Sequence, residues 1–423
     1  MVLIIGAGFS GLHAAVLLKR RGISVTVIEA RDRIGGRVYT KSKNGLIYEM
    51  GGEWLGTKDP LILKACEDFG LELVDHELKT QFLYRGKHYL PDQMPIDERW
   101  LPHVKELVEK FSDLSDEEVQ HLQRINWHEF LLQADVPDKD IDLMNLARST
   151  DFGEDMRFIP AYDVLYDYMV GGDGPTACAK SIKGGNVLFA EKCVEEIGAE
   201  NVHLNQEVRV IKKSDEGVEV VCKGGTTYKG DLMIVAVPPQ AVREIEWIPA
   251  LPVEQVEAFF EIEYCRIAKT AAYFSTRFWP DQSFELMTDL LPQQIYHSTP
   301  GQLASDGILT SYAVGDRAHI LSHMSESDQG KEIQKVLQAA SDSVVPVPDS
   351  VDSYYWGEDP YTGGAYPCFS GDQHLRLQPL FRAPQENIFF AGEHTARRYG
   401  FMEGAIEAGE RAVSEVLRKL NLS

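Results

Sequence analysis

The run Val2-Leu3-Ile4-Ile5-Gly6-Ala7-Gly8-Phe9-Ser10-Gly11, answered by Val25-Thr26-Val27-Ile28-Glu29, decides the fold. Four apolar residues are enough for a buried strand. Gly6, Gly8 and Gly11 then form a Gly-x-Gly-x-x-Gly turn, and Leu12, Ala15 and Val16 share one face of a helix over Leu12 to Arg21 that Gly22 closes. Strand, glycine turn, helix and strand make a βαβ unit. Its glycines let backbone amides approach a pyrophosphate, whose negative charge rests at the helix N-terminus. Glu29, 18 residues after Gly11, stands at the end of the second strand, where it can accept hydrogen bonds from an adenosine ribose. NAD and FAD share this geometry, so the turn does not choose between them.

Working outward, 423 residues are too many for one ordinary core, and two domains are expected. The balance of 65 acidic against 42 basic residues, net -23, opposes binding to nucleic acid or to an anionic membrane. Cys66, Cys178, Cys193, Cys222, Cys265 and Cys368 are scattered without a Cys-x-x-Cys pair, so neither a disulfide framework nor a metal site is expected, and a reducing cytoplasm fits. Val2 to Ile5 is too short for a signal peptide, and the C-terminal residues offer no membrane anchor, so a soluble chain is expected.

From Asp97 to Ser181 the pattern turns helical: Val104, Leu107, Val108 and Phe111 fall at helix spacing, and Ser115 to Glu118 forms a capping box. Another helix is expected between Gly185 and Gly198. Short strands follow around Val208, Val218 to Val221 and Leu232 to Val237, separated by Glu216-Gly217 and Gly224-Gly225. Thr270 to Phe274 reads as a strand, as does Ile388 to Ala391 ahead of a last helix near Glu403 to Leu417.

After the second strand, Glu29-Ala30-Arg31-Asp32-Arg33-Ile34-Gly35-Gly36-Arg37 resembles the flavin-containing amine oxidase family, in which an acid, a base and Gly-Gly-Arg follow at this spacing. The resemblance continues through Met50-Gly51-Gly52-Glu53-Trp54, which in the family passes along the flavin ring. It returns in Phe390-Ala391-Gly392-Glu393-His394-Thr395 and in the run Phe401-Met402-Glu403-Gly404. It implies that Gly6, Gly8, Phe9, Ser10, Gly11, Glu29, Ala30, Arg31, Gly36, Arg37, Gly51, Gly52, Glu53 and Trp54 line an FAD site. Arg31 and Arg37 would neutralise pyrophosphate charge. Glu393, after Gly392, would meet the ribityl or pyrophosphate region, and Met402 with its helix N-terminus the pyrimidine edge. Leu204-Asn205-Gln206-Glu207-Val208 is similar to the adenine-contacting segment, with Val208 at the contact, and Trp356 to a residue beside the flavin.

Three residues are the catalytic candidates. Ile267, Lys269, Ala271 and Tyr273 alternate onto one strand face, which sets Lys269 among apolar neighbours, and strand lysines are mostly solvated. Ala268-Lys269-Thr270 followed by Phe278-Trp279 resembles the segment whose lysine holds a water against flavin N5. Tyr366 and Phe401 match the two aromatic residues that line the amine site, although the monoamine oxidase pattern has tyrosine in place of Phe401. Ala365 replaces the cysteine that tethers FAD in membrane monoamine oxidases, and Cys368 is three residues too far, so noncovalent FAD is expected.

The resemblance implies an α/β chain: a Rossmann-like FAD-binding domain from 1–80, 184–245 and 372–423, with an inserted α+β substrate domain, partly helical, from 81–183 and 246–371. It implies an amine oxidised to an imine, then aldehyde or ketone, with O2 reduced to H2O2; a homodimer stays open. The alternatives are an L-amino acid oxidase, a desaturase-type relative and a noncatalytic flavoprotein. An L-amino acid oxidase needs a cation for the substrate carboxylate. Alignment by Phe69-Gly70-Leu71 puts Trp54 where venom-type enzymes carry that arginine, leaving Arg266, Arg317, Arg397 and Arg398 as other sources.

Overall fold

A computed structural model describes residues 1–90, 93, 101–170, 179–279 and 281–422. Its first layer is a five-stranded sheet in the order Ile388–Phe390, Leu232–Val235, Val2–Ile5, Val25–Ile28, Val202–His203, with every pairing parallel. Side chains alternate across a strand, so the central Val2–Ile5 serves two cores. Val2 and Ile4 pack with the helices Phe9–Arg20, Val187–Ile197 and Met402–Lys419, whereas Leu3 and Ile5 pack with Val218, Val220, Phe259 and Phe381. A four-stranded sheet of Thr227–Gly230, Gly217–Cys222, Val208–Ser214 and Glu246–Ile248 contributes to this second core, as does the helix Val253–Glu261.

The first helix begins at Phe9, three residues earlier than its apolar face suggests, which places Gly11 inside the helix and not in the turn. A Cβ on Gly11 would lie 2.1 Å from the Gly6 carbonyl oxygen, so its glycine serves close packing of helix on turn. Gly22, at φ +75°, follows the helix as expected.

The second layer is a seven-stranded sheet in the order Ser350–Tyr355, Ile267–Phe274, Gly307–Val314, Gln294–His297, Phe284–Thr288, Lys79–Tyr84, Lys87–Tyr89. It is antiparallel except between Phe284–Thr288 and Lys79–Tyr84. Ile267–Phe274 is buried on both faces, not one, with Tyr273 alone half-buried. Five helices, from Leu101–Glu109 to Ala161–Val170, form the helical portion around Trp127, Phe130 and Leu165. The capping box at Ser115 and Glu118 is present, Phe111 has moved into a 3-10 turn, and Ser181 lies in the strand Lys180–Ile182, paired with Leu73–Asp75, where helix was expected. Positions 97–100 and 171–178 of that helical reading lie outside the described residues. No helix among the described residues is long and apolar enough to cross a membrane.

Candidate active site

A cavity of about 610 Å³ is walled by the glycine turn, the ends of the parallel strands, the seven-stranded sheet and the start of the last helix. Gly6, Gly8, Phe9, Ser10, Glu29, Ala30, Arg31, Gly36, Arg37, Gly51, Gly52, Glu53, Trp54, Val208, Trp356, Gly392, Glu393 and Met402 all line it, together with Lys269, Tyr366 and Phe401. Gly11 does not, being turned toward the Gly6 carbonyl.

Glu29 ties the glycine turn to the second strand. Its Oε2 accepts from the Ala7 amide at 2.7 Å and its Oε1 from the Arg31 amide at 2.9 Å; burial raises its carboxyl above the ordinary range against those two bonds. Ser10 Oγ accepts from the Gly392 amide at 3.0 Å, joining the N- and C-terminal motifs. A Cβ on Gly36, at φ +60°, would sit 3.2 Å from Gly8 Cα, so two bare backbones meet at the cavity wall. The helices starting at Phe9 and Met402 have no side-chain cap, and the first-turn amides of such a helix are the donors that suit an anion. Trp54 Nε1 is buried without a hydrogen-bond partner among the described residues. Two uncapped helix starts, a glycine cradle and an orphan donor suit a dinucleotide with an acceptor-rich ring.

Both arginines are paired with carboxylates. Arg31 Nη2 donates to Asp359 Oδ1 at 2.5 Å, and Arg37 Nη1 lies 2.6 Å from Glu393 Oε1. Burial would raise the Asp359 carboxyl, but hydrogen bonds from Arg31, Tyr354 and Thr362 hold it down to about 2. Glu393 Oε2 accepts from the Gly400 amide at 2.7 Å. Both arginines thus line the cavity with a carboxylate partner each.

Lys269 is only 3% exposed. Its Nζ donates to Glu53 Oε2 at 2.6 Å and to the Glu49 carbonyl at 3.3 Å, and it lies 5.2 Å from the Trp54 ring and 5.8 Å from that of Tyr312. The Tyr296 hydroxyl donates to the same Glu53 oxygen, while His76 Nδ1 is 3.8 Å from the other. Burial lowers His76 and, with Glu53 beside it, raises Glu49 to about 7 despite a hydrogen bond from the Asn186 amide.

Around Tyr366 the wall is aromatic and acidic. Its hydroxyl reaches the Asp151 carbonyl at 2.8 Å and lies 3.4 Å from the Tyr312 hydroxyl. Asp151 and Thr150 come from the end of the helix Asp138–Phe152. Burial raises the Asp151 carboxyl to about 7, against the pull of Arg148, whose Nη1 is 2.8 Å away and whose Nη2 is 3.1 Å from Asp167. Ala365 lines the cavity; Cys368 faces a separate pocket of about 60 Å³ behind Tyr366 and Phe401. Arg397 and Arg398 face that second pocket too, and Arg266 pairs with Glu154 and Asp316. None of these three, nor Arg317, lines the large cavity.

Sequence reasoning missed Tyr312, Tyr296 and Asp151. Tyr312 is the cross-strand partner of Lys269, a relation visible only once the strands pair.

A family model described as flavin containing amine oxidoreductase matches residues 9–417, and the chain belongs to that family. It is an FAD-dependent oxidoreductase of the amine oxidase type. Among curated relatives, the L-amino-acid oxidase of Gloydius blomhoffii is 26% identical over 99% of this chain and 89% of its own length. The amine oxidase [flavin-containing] B of Homo sapiens is 24% identical over 99% and 86%. The solved cyclohexylamine oxidase from Brevibacterium oxydans IH-35A superposes with a TM-score of 0.86 at 21% identity, covering 99% of each chain. Wild-type putrescine oxidase bound to putrescine does so at 0.84 and 23%, covering 99% of this chain and 98% of its own. At these identities the structural likeness shows the fold, and the curated relatives include both amine and amino-acid oxidases.

Proposed function

We propose that the chain oxidises small amines in preference to α-amino acids, on noncovalently bound FAD. One observation carries this reading: every basic residue lining the cavity, among the described residues, already has a carboxylate partner. Arg31 pairs with Asp359, Arg37 with Glu393, Arg209 and Lys223 with Glu207, and Lys269 with Glu53. A substrate carboxylate would find no free cation, and burying it unpaired costs several kcal/mol, whereas an amine lacking that group avoids the penalty.

FAD, when bound, supplies acceptance of a hydride from the carbon bearing the amine and passes the electrons to O2, giving H2O2. The chain's residues do the rest. Gly6, Gly8, Phe9, Ser10 and Gly36 admit the pyrophosphate to the first helix start; Glu29, Ala30 and Val208 serve the adenosine half. Gly51, Gly52, Trp54, Trp356, Gly392 and Met402 wall the ring. Tyr366, Phe401 and Tyr312 hold the amine and exclude water around the reacting carbon. Lys269, kept in place by Glu53, orients a water. Ala365 leaves no thiol for a covalent tether. The cofactor domain takes in 246–262 as well as the parallel-sheet segments, because the strand Glu246–Ile248 and the helix Val253–Glu261 share their second core.

The test is anaerobic flavin bleaching and kcat/KM for matched pairs, phenylethylamine against phenylalanine and cadaverine against lysine. An unpaired carboxylate costing about 3 kcal/mol predicts a preference of roughly 100-fold for each amine. Consistent preference for the amino acid would overturn the reading.

A further inference from the structure

Outside the cavity lining, the helix Gly315–Ser322 and its C-cap residue His323 bring His319 and His323 one turn apart, and Glu358 comes to them from the 3-10 turn Trp356–Glu358. The imidazole centroids are 4.4 Å apart, His323 Nε2 is 3.6 Å from Glu358 Oε1, and one ligand atom from each residue lies within 4.8 Å of the others. All three side chains are exposed. We infer that His319, His323 and Glu358 bind a divalent first-row transition metal, with Zn2+ as the fitting ion.

Three features support this. Histidines four apart on a helix share one face, the spacing at which two imidazoles reach a single ion. Next, His323 Nδ1 stands 2.8 Å from the His319 carbonyl oxygen; a carbonyl only accepts, so Nδ1 carries the hydrogen and the neutral ring turns its Nε2 lone pair toward Glu358. Ser322 Oγ, 3.2 Å from the same Nδ1, can accept from it as well. Thirdly, the 3.6 Å separation of Nε2 and Oε1 is too long for a hydrogen bond, yet close to the edge of about 3.4 Å that bonds near 2.1 Å give a tetrahedral site. The remaining separations close by rotation of exposed side chains; the long 3.5 Å hydrogen bond between the Tyr355 hydroxyl and His319 Nδ1 leaves the Nε2 of that ring for the ion. Two nitrogens and one carboxylate oxygen select zinc-like ions over Mg2+ or Ca2+, which want oxygen throughout, and water completes the coordination. The net charge of -23 favours cations near the surface.

Such an ion would fasten the helix to the turn that carries Trp356, whose indole N–H donates to the Met50 carbonyl at 2.8 Å in the cavity wall. The site is therefore a clamp on a wall of the cofactor cavity, without contact with the reacting groups.

The experiment uses tag-free, FAD-loaded, chelator-treated full-length chain. Calorimetric titration with Zn2+ should show one ion per chain, and saturating Zn2+ should raise the melting temperature by roughly 2 °C or more where Mg2+ does not. His323→Ala and Glu358→Gln should each weaken Zn2+ binding at least about tenfold and abolish the melting shift. Both variants should keep the wild-type melting temperature in chelator, which separates loss of the site from loss of the fold. Zinc binding unchanged in both variants, or no saturable binding to the wild type, would overturn the assignment.

Discussion

Glu53→Gln is the sharpest perturbation of the cavity, because it removes one charge from a pair that is 3% and 2% exposed while keeping the side chain's volume. At 2.6 Å and an effective dielectric of about 20, the attraction to Lys269 is of order 6 kcal/mol before desolvation is subtracted. Removing one member of a buried pair strands the other, at a typical cost of about 3–5 kcal/mol. The glutamine still accepts from Tyr296, so the charge, not the hydrogen bond, is what changes. Urea unfolding at fixed excess FAD should place Glu53→Gln about 3 kcal/mol or more below wild type. Lys269→Met should fall by a similar amount, and the double variant Glu53→Gln/Lys269→Met should lose much less than the sum. A coupling of at least about 2 kcal/mol is expected. In stopped flow, Lys269→Met should slow flavin reduction, reoxidation or both by at least about tenfold, equivalent to ~1.4 kcal/mol of barrier. Additive losses within about 0.5 kcal/mol would refute the view that this pair is the electrostatic centre of the site, and unchanged rates for both half-reactions would remove Lys269 from the chemistry.

Acid precipitation should release all the yellow colour, since Ala365 offers no thiol; colour retained in the pellet would contradict noncovalent binding. Glu49 and Asp151 are raised to about 7 by burial, so the folded state holds protons that the unfolded chain has already lost. Their stabilising contribution is full below the ordinary carboxyl range and is lost as pH rises from that range through about 7, so the urea midpoint should fall between about pH 4 and 7 and level off above, and less steeply in Glu49→Gln. Asp359, held down to about 2, works in the opposite sense: its contribution is present above the ordinary range and lost on strong acidification, and Asp359→Asn should flatten the acid limb. Gly11→Ala would place a methyl 2.1 Å from the Gly6 oxygen and should yield chain without bound flavin, whereas Gly22→Ala, with open space around it, should keep its cofactor despite backbone strain at φ +75°. Normal flavin content in Gly11→Ala would show that helix and turn tolerate separation.

What could be read in the sequence was what lies within about one turn or one strand of itself. The buried strand Val2 to Ile5, the capping box at Ser115 and Glu118, and the helix closed by Gly22 are all local, and all are present. Gly11 was legible as a required glycine but not for its reason, since the clash that demands it is with Gly6 across the turn. The apolar setting of Lys269 showed in its strand, yet its partner Glu53 is 216 residues away and joins it only through tertiary packing. Asp151 carried no local signal, because nothing in a helix's own period says that its last turn will end against Tyr366. The sequence reading singled out none of His319, His323 and Glu358, and Glu358 reaches the two histidines only through the fold.

The same limit explains why the cofactor was readable and the substrate was not. FAD is gripped by a turn, a strand end and two helix starts, each a contiguous motif whose chemistry is carried by its own few residues. Preference between an amine and an amino acid depends instead on the charge left over in the cavity after all pairs have formed. The sequence places Arg31, Arg37 and Lys269 within family motifs but does not show how these bases, or Arg209 and Lys223, are paired. The fold supplies Asp359, Glu393, Glu207 and Glu53, drawn in part from distant segments of the chain, and leaves none of the five free. Asp151, beside Tyr366, adds no free charge to this count, because its carboxylate is paired with Arg148, and the balance that decides between an amine and an amino acid is a property of the assembled pairs, not of any motif.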